Sequence, residues 1–120
     1  MLSLDRPEFE FFFRFGGGTS CIISERELTT PFIVAPDSLQ DWNPSRPLSI
    51  EDLAPIVALN PEVILLGTGA TQTFPSVAVL KYCQQNRIGL EVMNNASAAS
   101  TFNVLAGEGR QVVAAILFQS

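Results

Sequence analysis

The stretch VILLGTGATQTFPS, Val63 to Ser76, decides how this chain is read. Four apolar residues run into Gly-Thr-Gly, and a helix start follows. A short apolar run of this kind is a buried central strand, and a glycine turn between strand and helix is where phosphate-binding loops begin. The stretch either cradles an anion or is a tight turn.

The phosphate motifs are tested residue by residue. A Walker loop needs a second glycine and a lysine, because the lysine carries the charge; counted from Gly67 those places hold Gln72 and Thr73. A dinucleotide fingerprint is matched by Gly67 and Gly69, but Gln72 replaces the third glycine that brings helix and strand close. The acid expected after the next strand is absent, and Asn94 and Asn95 stand there. Neither nucleotide motif is present.

Outward from this loop the pattern alternates. Val63 to Gly67 and Gly89 to Met93 read as strands, and Gln111 to Phe118 as a last apolar strand. Between them Ser76 to Arg87 reads as a helix, with Val77, Leu80 and Cys83 on its inner side. Ala98, Ala99, Phe102, Leu105 and Ala106 form one helical stripe, ended by Gly107 and Gly109. Such a β-α-β-α-β unit implies parallel pairing.

The N-terminal third reads as antiparallel strands. Phe9, Phe11, Phe13 and Phe15 alternate with Glu8, Glu10, Phe12 and Arg14, so period two puts four rings on one face. Gly16-Gly17-Gly18 suits a hairpin, with a return strand over Thr19 to Ser24. A turn at Ser24 to Glu27 leads to a strand over Leu28 to Ala35, where Pro31 marks an edge or bulge. Pro36 to Pro47 reads as a connection anchored by Trp42. A helix near Leu48 to Leu59 has two candidate starts: Ser49 with Asp52 resembles a capping box, whereas an N-cap at Asp52 places Pro55 harmlessly in the first turn. Asn60-Pro61 stops it. The expected fold is one α/β domain over residues 1–120, a mixed sheet in which antiparallel N-terminal strands extend or cap the parallel unit.

With 120 residues, 47% hydrophobic and 16% charged, the chain can bury a core. Its net charge of −5 and seven scattered cations exclude nucleic-acid binding. Histidine is absent, which removes His-based triads and HExxH zinc sites. Cys21 and Cys83 form no CxxC and read as reduced core thiols. No cofactor or metal is expected. No apolar run reaches the ~18–20 residues that span a bilayer, and MLSLDRPEFE has the form of neither a signal nor a transit peptide. The chain therefore reads as complete, cytoplasmic and not membrane-inserted, a monomer or weak homodimer.

If the first two parallel strands are neighbours, their carboxyl ends gather Gly67, Thr68, Gly69, Gln72, Thr73, Asn94, Asn95 and Ser97 on one rim, a candidate ligand or anion pocket. The plainer alternative is that Thr73 or Ser76, and Asn95, cap two helices. Glu91 is either a buried base or a solvated side chain, and Glu108 a turn residue. No nucleophile–base pair can be named, so a protein-interaction role stands ahead of catalysis.

Several stretches together resemble a known family. Leu66-Gly67-Thr68-Gly69, Phe74-Pro75, Gly89, Glu91-Val92-Met93, Thr101-Phe102-Asn103 and Glu108-Gly109-Arg110 are similar to the small domain of uncharacterised bacterial proteins and of the mitochondrial complex I assembly factor 3 proteins. The resemblance covers the second half closely. It implies a one-domain α/β fold, a protein partner and, for the mitochondrial members, an assembly role on NADH:ubiquinone oxidoreductase; it implies no reaction. Asn94 replaces the family's aspartate and Ser100 its frequent arginine.

Overall fold

The apolar run is the centre of a five-stranded mixed sheet. The computed structural model describes residues 9–118. In it β6 (Val63–Thr68) lies parallel to β7 (Gly89–Met93) on one side and to β8 (Val112–Leu117) on the other. The antiparallel hairpin of β4 (Phe32–Ala35) and β5 (Ser38–Asp41) extends the sheet beyond β8, giving the order β5-β4-β8-β6-β7. A separate antiparallel sheet, β1 (Phe13–Gly16), β2 (Cys21–Ile23) and β3 (Arg26–Leu28), covers one face. The N-terminal strands thus both extend and cap the parallel unit, as expected.

The large sheet is covered on both faces, and successive residues alternate between two cores. Leu65, Val112, Ala114, Ile116, Phe32 and Val34 pack with β1–β2 residues and with Ala98, Ala99, Phe102 and Ala106 of α3 (Asn95–Gly107). Ile64, Leu66, Val113, Ala115, Ile33 and Ala35 face the other way, onto Trp42, Leu53, Ile56, Val79 and Cys83. Burial on both faces explains why β6 and β8 are continuously apolar rather than alternating. Phe102 anchors the first core, its ring edge-on to Phe9 (6.2 Å) and Phe13 (5.4 Å).

Several boundaries differ from the sequence expectations, each for a local reason. Glu8 lies outside the described residues. Of the four rings, Phe9, Phe11 and Phe13 join the first core, but Phe15 is 52% exposed. The expected strand through these rings begins only at Phe13, since residues 9–12 are not strand, and a bulge between Phe13 and Phe15 breaks the period of two. The strand expected over Leu28 to Ala35 is two strands in different sheets: Arg26 and Glu27 belong to β3, and the chain changes sheet at Pro31, which has no N–H to give. Within the expected connection, Pro36 and Asp37 form a turn leading into β5. Ser38-Leu39-Gln40-Asp41 carries only one large apolar residue, so no alternation announced it.

Of the two proposed starts of the first helix, the Ser49 start is present, whereas Asp52 is no N-cap: the α-helical segment is preceded by Leu53. A 3-10 turn at Ile50–Leu53 follows Ser49, whose N–H and hydroxyl donate to Asp52 Oδ2 at 2.8 and 2.9 Å. It passes into α1 (Ala54–Val57) with Pro55 in the first turn, where its missing N–H costs nothing. Trp42 is buried, and its Nε1 donates to the Asp52 carbonyl at 3.0 Å.

α2 (Val77–Gln85) begins at its N-cap Ser76. Val79 and Cys83, one turn apart, are buried, whereas Val77 is 66% exposed. Two residues are 200° of helix, so Val77 cannot share the face of Val79. α3 ends in a Schellman motif: Arg110 N–H donates to Leu105 O and Gly109 N–H to Ala106 O, both at 3.0 Å. Gly109 has φ +79°, so it is the terminator, while Gly107 is still helical.

Candidate functional site

Parallel pairing brings Gly67 opposite Met93, so the turns after β6 and β7 do meet on one edge. Their polar groups are spent on one another. Thr68 Oγ1 donates to Thr71 O (2.7 Å) and accepts from Thr73 N–H (2.9 Å). Gln72 Nε2 donates to Val92 O at 2.7 Å. Asn94 caps α3, its Oδ1 accepting from Ser97 N–H at 2.8 Å. Asn and Asp cap a helix about equally well, so Asn94 serves where the family's aspartate would. Ser100 is exposed and donates to Ala96 O.

Asn95 is neither a cap nor exposed to a ligand. Among the described residues it is the one polar side chain that is fully buried. Its Oδ1 accepts from Gly69 N–H (3.0 Å), and its Nδ2 donates to Gly17 O (2.8 Å) and Leu117 O (2.9 Å). Its own N–H donates to Gly69 O at 2.8 Å. One carboxamide therefore ties together the β1–β2 hairpin, the turn after β6 and the end of β8. A buried amide is tolerated only when satisfied in this way.

The glycines of the opening stretch follow from this. A Cβ on Gly67 would strike Asn95 Oδ1 and come within 2.7 Å of Ile116 Cδ1. Gly69 adopts φ +96° to present its N–H and C=O to Asn95. Gly-Thr-Gly is thus shaped around a side chain of the protein itself.

The open space lies on the other flank of β6. A cleft of about 530 Å³ runs outside the carboxyl ends of β6 and β8. Of the eight expected rim residues it takes Thr68 and Thr73; Gly67, Gly69, Gln72, Asn94, Asn95 and Ser97 do not line it. Leu66 and Phe118 are buried in its floor, and Leu48 and Leu117 are half-buried in its walls. Ser45, Arg46, Thr73, Phe74 and Ser76 are exposed around it. Sequence reading missed the segment Ser45 to Leu48, because nothing local says that this loop returns to the strand ends. It also missed Phe74-Pro75, an aromatic in a turn, which is the one signal that could have found the cleft.

The cleft offers apolar side chains, hydroxyls and one guanidinium. No carboxylate, thiol or imidazole lines the cleft, and among the described residues no cluster of His, Cys, Asp or Glu could hold a metal ion. Glu91 and Glu108 are exposed. Cys21 and Cys83 are free and buried, and burial pushes both thiols up, away from reactive thiolate. Glu62 Oε1 accepts from Arg110 Nε (3.1 Å) and Gln111 N–H (2.9 Å), so the Glu-Gly-Arg turn is fastened to the start of β6.

Comparison with known proteins agrees with this architecture. The chain is 29% identical over 120 residues to NADH dehydrogenase [ubiquinone] 1 alpha subcomplex assembly factor 3 of Xenopus tropicalis, covering 97% of this chain and 65% of that protein. It is 34% identical over 91 residues to the Danio rerio assembly factor 3, covering 72% and 52%. The chain thus spans between half and two thirds of these relatives' length. The solution structure of a Xanthomonas campestris protein superimposes with a TM-score of 0.83 at 43% identity, over 97% of this chain and 92% of that one. The family model described as "Protein of unknown function (DUF498/DUF598)" matches residues 13–117, and the chain belongs to that family.

Proposed function

We propose that this protein is a protein-interaction module that assists assembly of a respiratory or membrane complex. The observation that carries this reading is an exposed apolar pair beside the cleft. Phe74, in the turn entering α2, and Val77, the first residue of α2, are 65% and 66% exposed. Large exposed aromatics are what interfaces bury as anchors, and nothing in the fold of this turn requires them. The relatives named as assembly factors for an NADH dehydrogenase subcomplex point the same way, as does a cleft without catalytic side chains. No helix among the described residues is long and apolar enough to cross a membrane, so the module would act as a partner at such a complex rather than as a spanning subunit. Two buried free thiols suit the reducing cytoplasm.

The test is affinity capture from the native host with the wild type and with Phe74→Ser/Val77→Ser. Wild type should recover respiratory or membrane-assembly proteins, and the double variant should lose them while keeping its melting temperature. Reproducible capture of nothing by folded wild type, or equal capture by both, would overturn the reading. Light scattering should show a monomer or weak homodimer.

A further inference from the structure

We propose that the cleft outside β6 and β8 binds a small monocarboxylate with an apolar body. Position is the first argument. Ligands of open α/β sheets sit outside the carboxyl ends of the strands. Leu66, Thr68 and Leu117 place the cleft outside those ends of β6 and β8.

Size and polarity come next. A volume of about 530 Å³ is that of a small-molecule site. Its interior is apolar, built from Leu66, Phe118, Leu117 and Leu48, while hydroxyls and the exposed ring of Phe74 occupy the rim. An occupant therefore has an apolar body and one polar end.

Charge selects that end. The chain carries twelve acids against seven cations, yet the lining holds no acid and a single cation, Arg46. Asp52, close in sequence, has its carboxylate engaged by Ser45 and Ser49. Among the described residues Arg46 makes no ion pair. A guanidinium at the rim matches a carboxylate by a charge-assisted fork, and the apolar floor takes the chain or ring behind it. The cleft shares Phe74 with the proposed partner surface, but its occupancy is measured on the isolated protein and so is tested separately from partner capture.

The test is an NMR titration of the full chain with sodium octanoate, 1-octanol and octylammonium. Octanoate should shift the Thr68, Phe74 and Leu117 amide resonances saturably, with 1-octanol about tenfold weaker and octylammonium weaker still. Arg46→Gln, an exposed substitution, should weaken octanoate about tenfold and leave 1-octanol unchanged. Thr73→Trp, which fills the mouth from an exposed position, should abolish octanoate binding with the rest of the spectrum intact. The proposal is overturned by the absence of a saturable shift, by equal affinities for octanoate and 1-octanol, or by indifference to either variant. A short peptide with a free C-terminal leucine binding about tenfold tighter than octanoate would also overturn it, in favour of a polypeptide occupant.

Discussion

The carboxamide of Asn103 closes on the backbone of Phe13, ninety residues away in the chain. Its Oδ1 accepts from Phe13 N–H at 2.9 Å and its Nδ2 donates to Phe13 O at 2.8 Å. β1 is the edge strand of the order β1-β2-β3 and pairs only with β2, and just beyond that pairing Ser24 N–H donates to Phe12 O. Asn103 thus occupies the edge of β1 that β2 leaves open. A free edge invites pairing with another chain, and here a side chain from α3 takes the place of a strand.

Asn103→Leu should therefore destabilise the fold by about 1–3 kcal/mol, because two half-buried backbone groups lose their partner. It should also raise self-association through β1, seen by light scattering at increasing concentration. A variant as stable and as monomeric as the wild type would show that the edge needs no cover.

Asn95→Ala and Asn94→Ala should separate two asparagines that are neighbours in sequence. Loss of the Asn94 cap costs about 1 kcal/mol. Loss of Asn95 orphans Gly69 N–H, Gly17 O and Leu117 O together, and should cost about 3 kcal/mol or more. Urea denaturation of the two variants reads the difference; equal costs would contradict the buried role of Asn95.

Gly67→Ala should destabilise by about 1–3 kcal/mol through overpacking against Asn95 and Ile116. In the Asn95→Ala background the same change should cost less, because one of its two obstacles is gone. A double-mutant cycle measures this coupling, and strict additivity would disprove the contact.

Acid should weaken the fold through two carboxyls. Burial works against the Asp52 charge, but hydrogen bonds from Ser49 and Ser45 outweigh it and hold its pKa below the ordinary value. The Gln111 N–H, then the Arg110 guanidinium, hold the exposed Glu62 carboxyl low as well. Groups whose folded pKa is depressed stabilise above their unfolded value, and lose that contribution as pH falls through the folded one. Melting temperature should thus drop on acidification below the ordinary carboxylate range. Asp52→Asn and Glu62→Gln should each flatten that drop and converge with wild type in acid; parallel curves would remove these groups from the acid response.

The second half of the fold, and the start of the first helix, were legible because their signals are local. The apolar runs of β6 and β8, the stripe on α3 and the Ser49–Asp52 box each depend on residues within a turn or strand of one another. β5 was not legible, since Ser38 to Asp41 owes its strand state to pairing with β4 and carries almost no pattern of its own. The exposed Phe15 was equally hidden, because a bulge is set by what β2 offers opposite.

For the candidate site the division is sharper. By itself the sequence determined that a glycine turn follows a central strand, that its neighbour ends in asparagines, and that no phosphate motif is complete. Only the tertiary structure decided which asparagine caps, which is buried, and on which flank of β6 space remains. Hydrogen-bond partners such as Gly17 and Leu117 lie 78 and 22 residues from Asn95, and the cleft joins a loop at Ser45 to strand ends at Thr68 and Leu117. Local preference sets the backbone within a turn, but contact between such distant residues arises only when burial of both sheet faces brings the elements together.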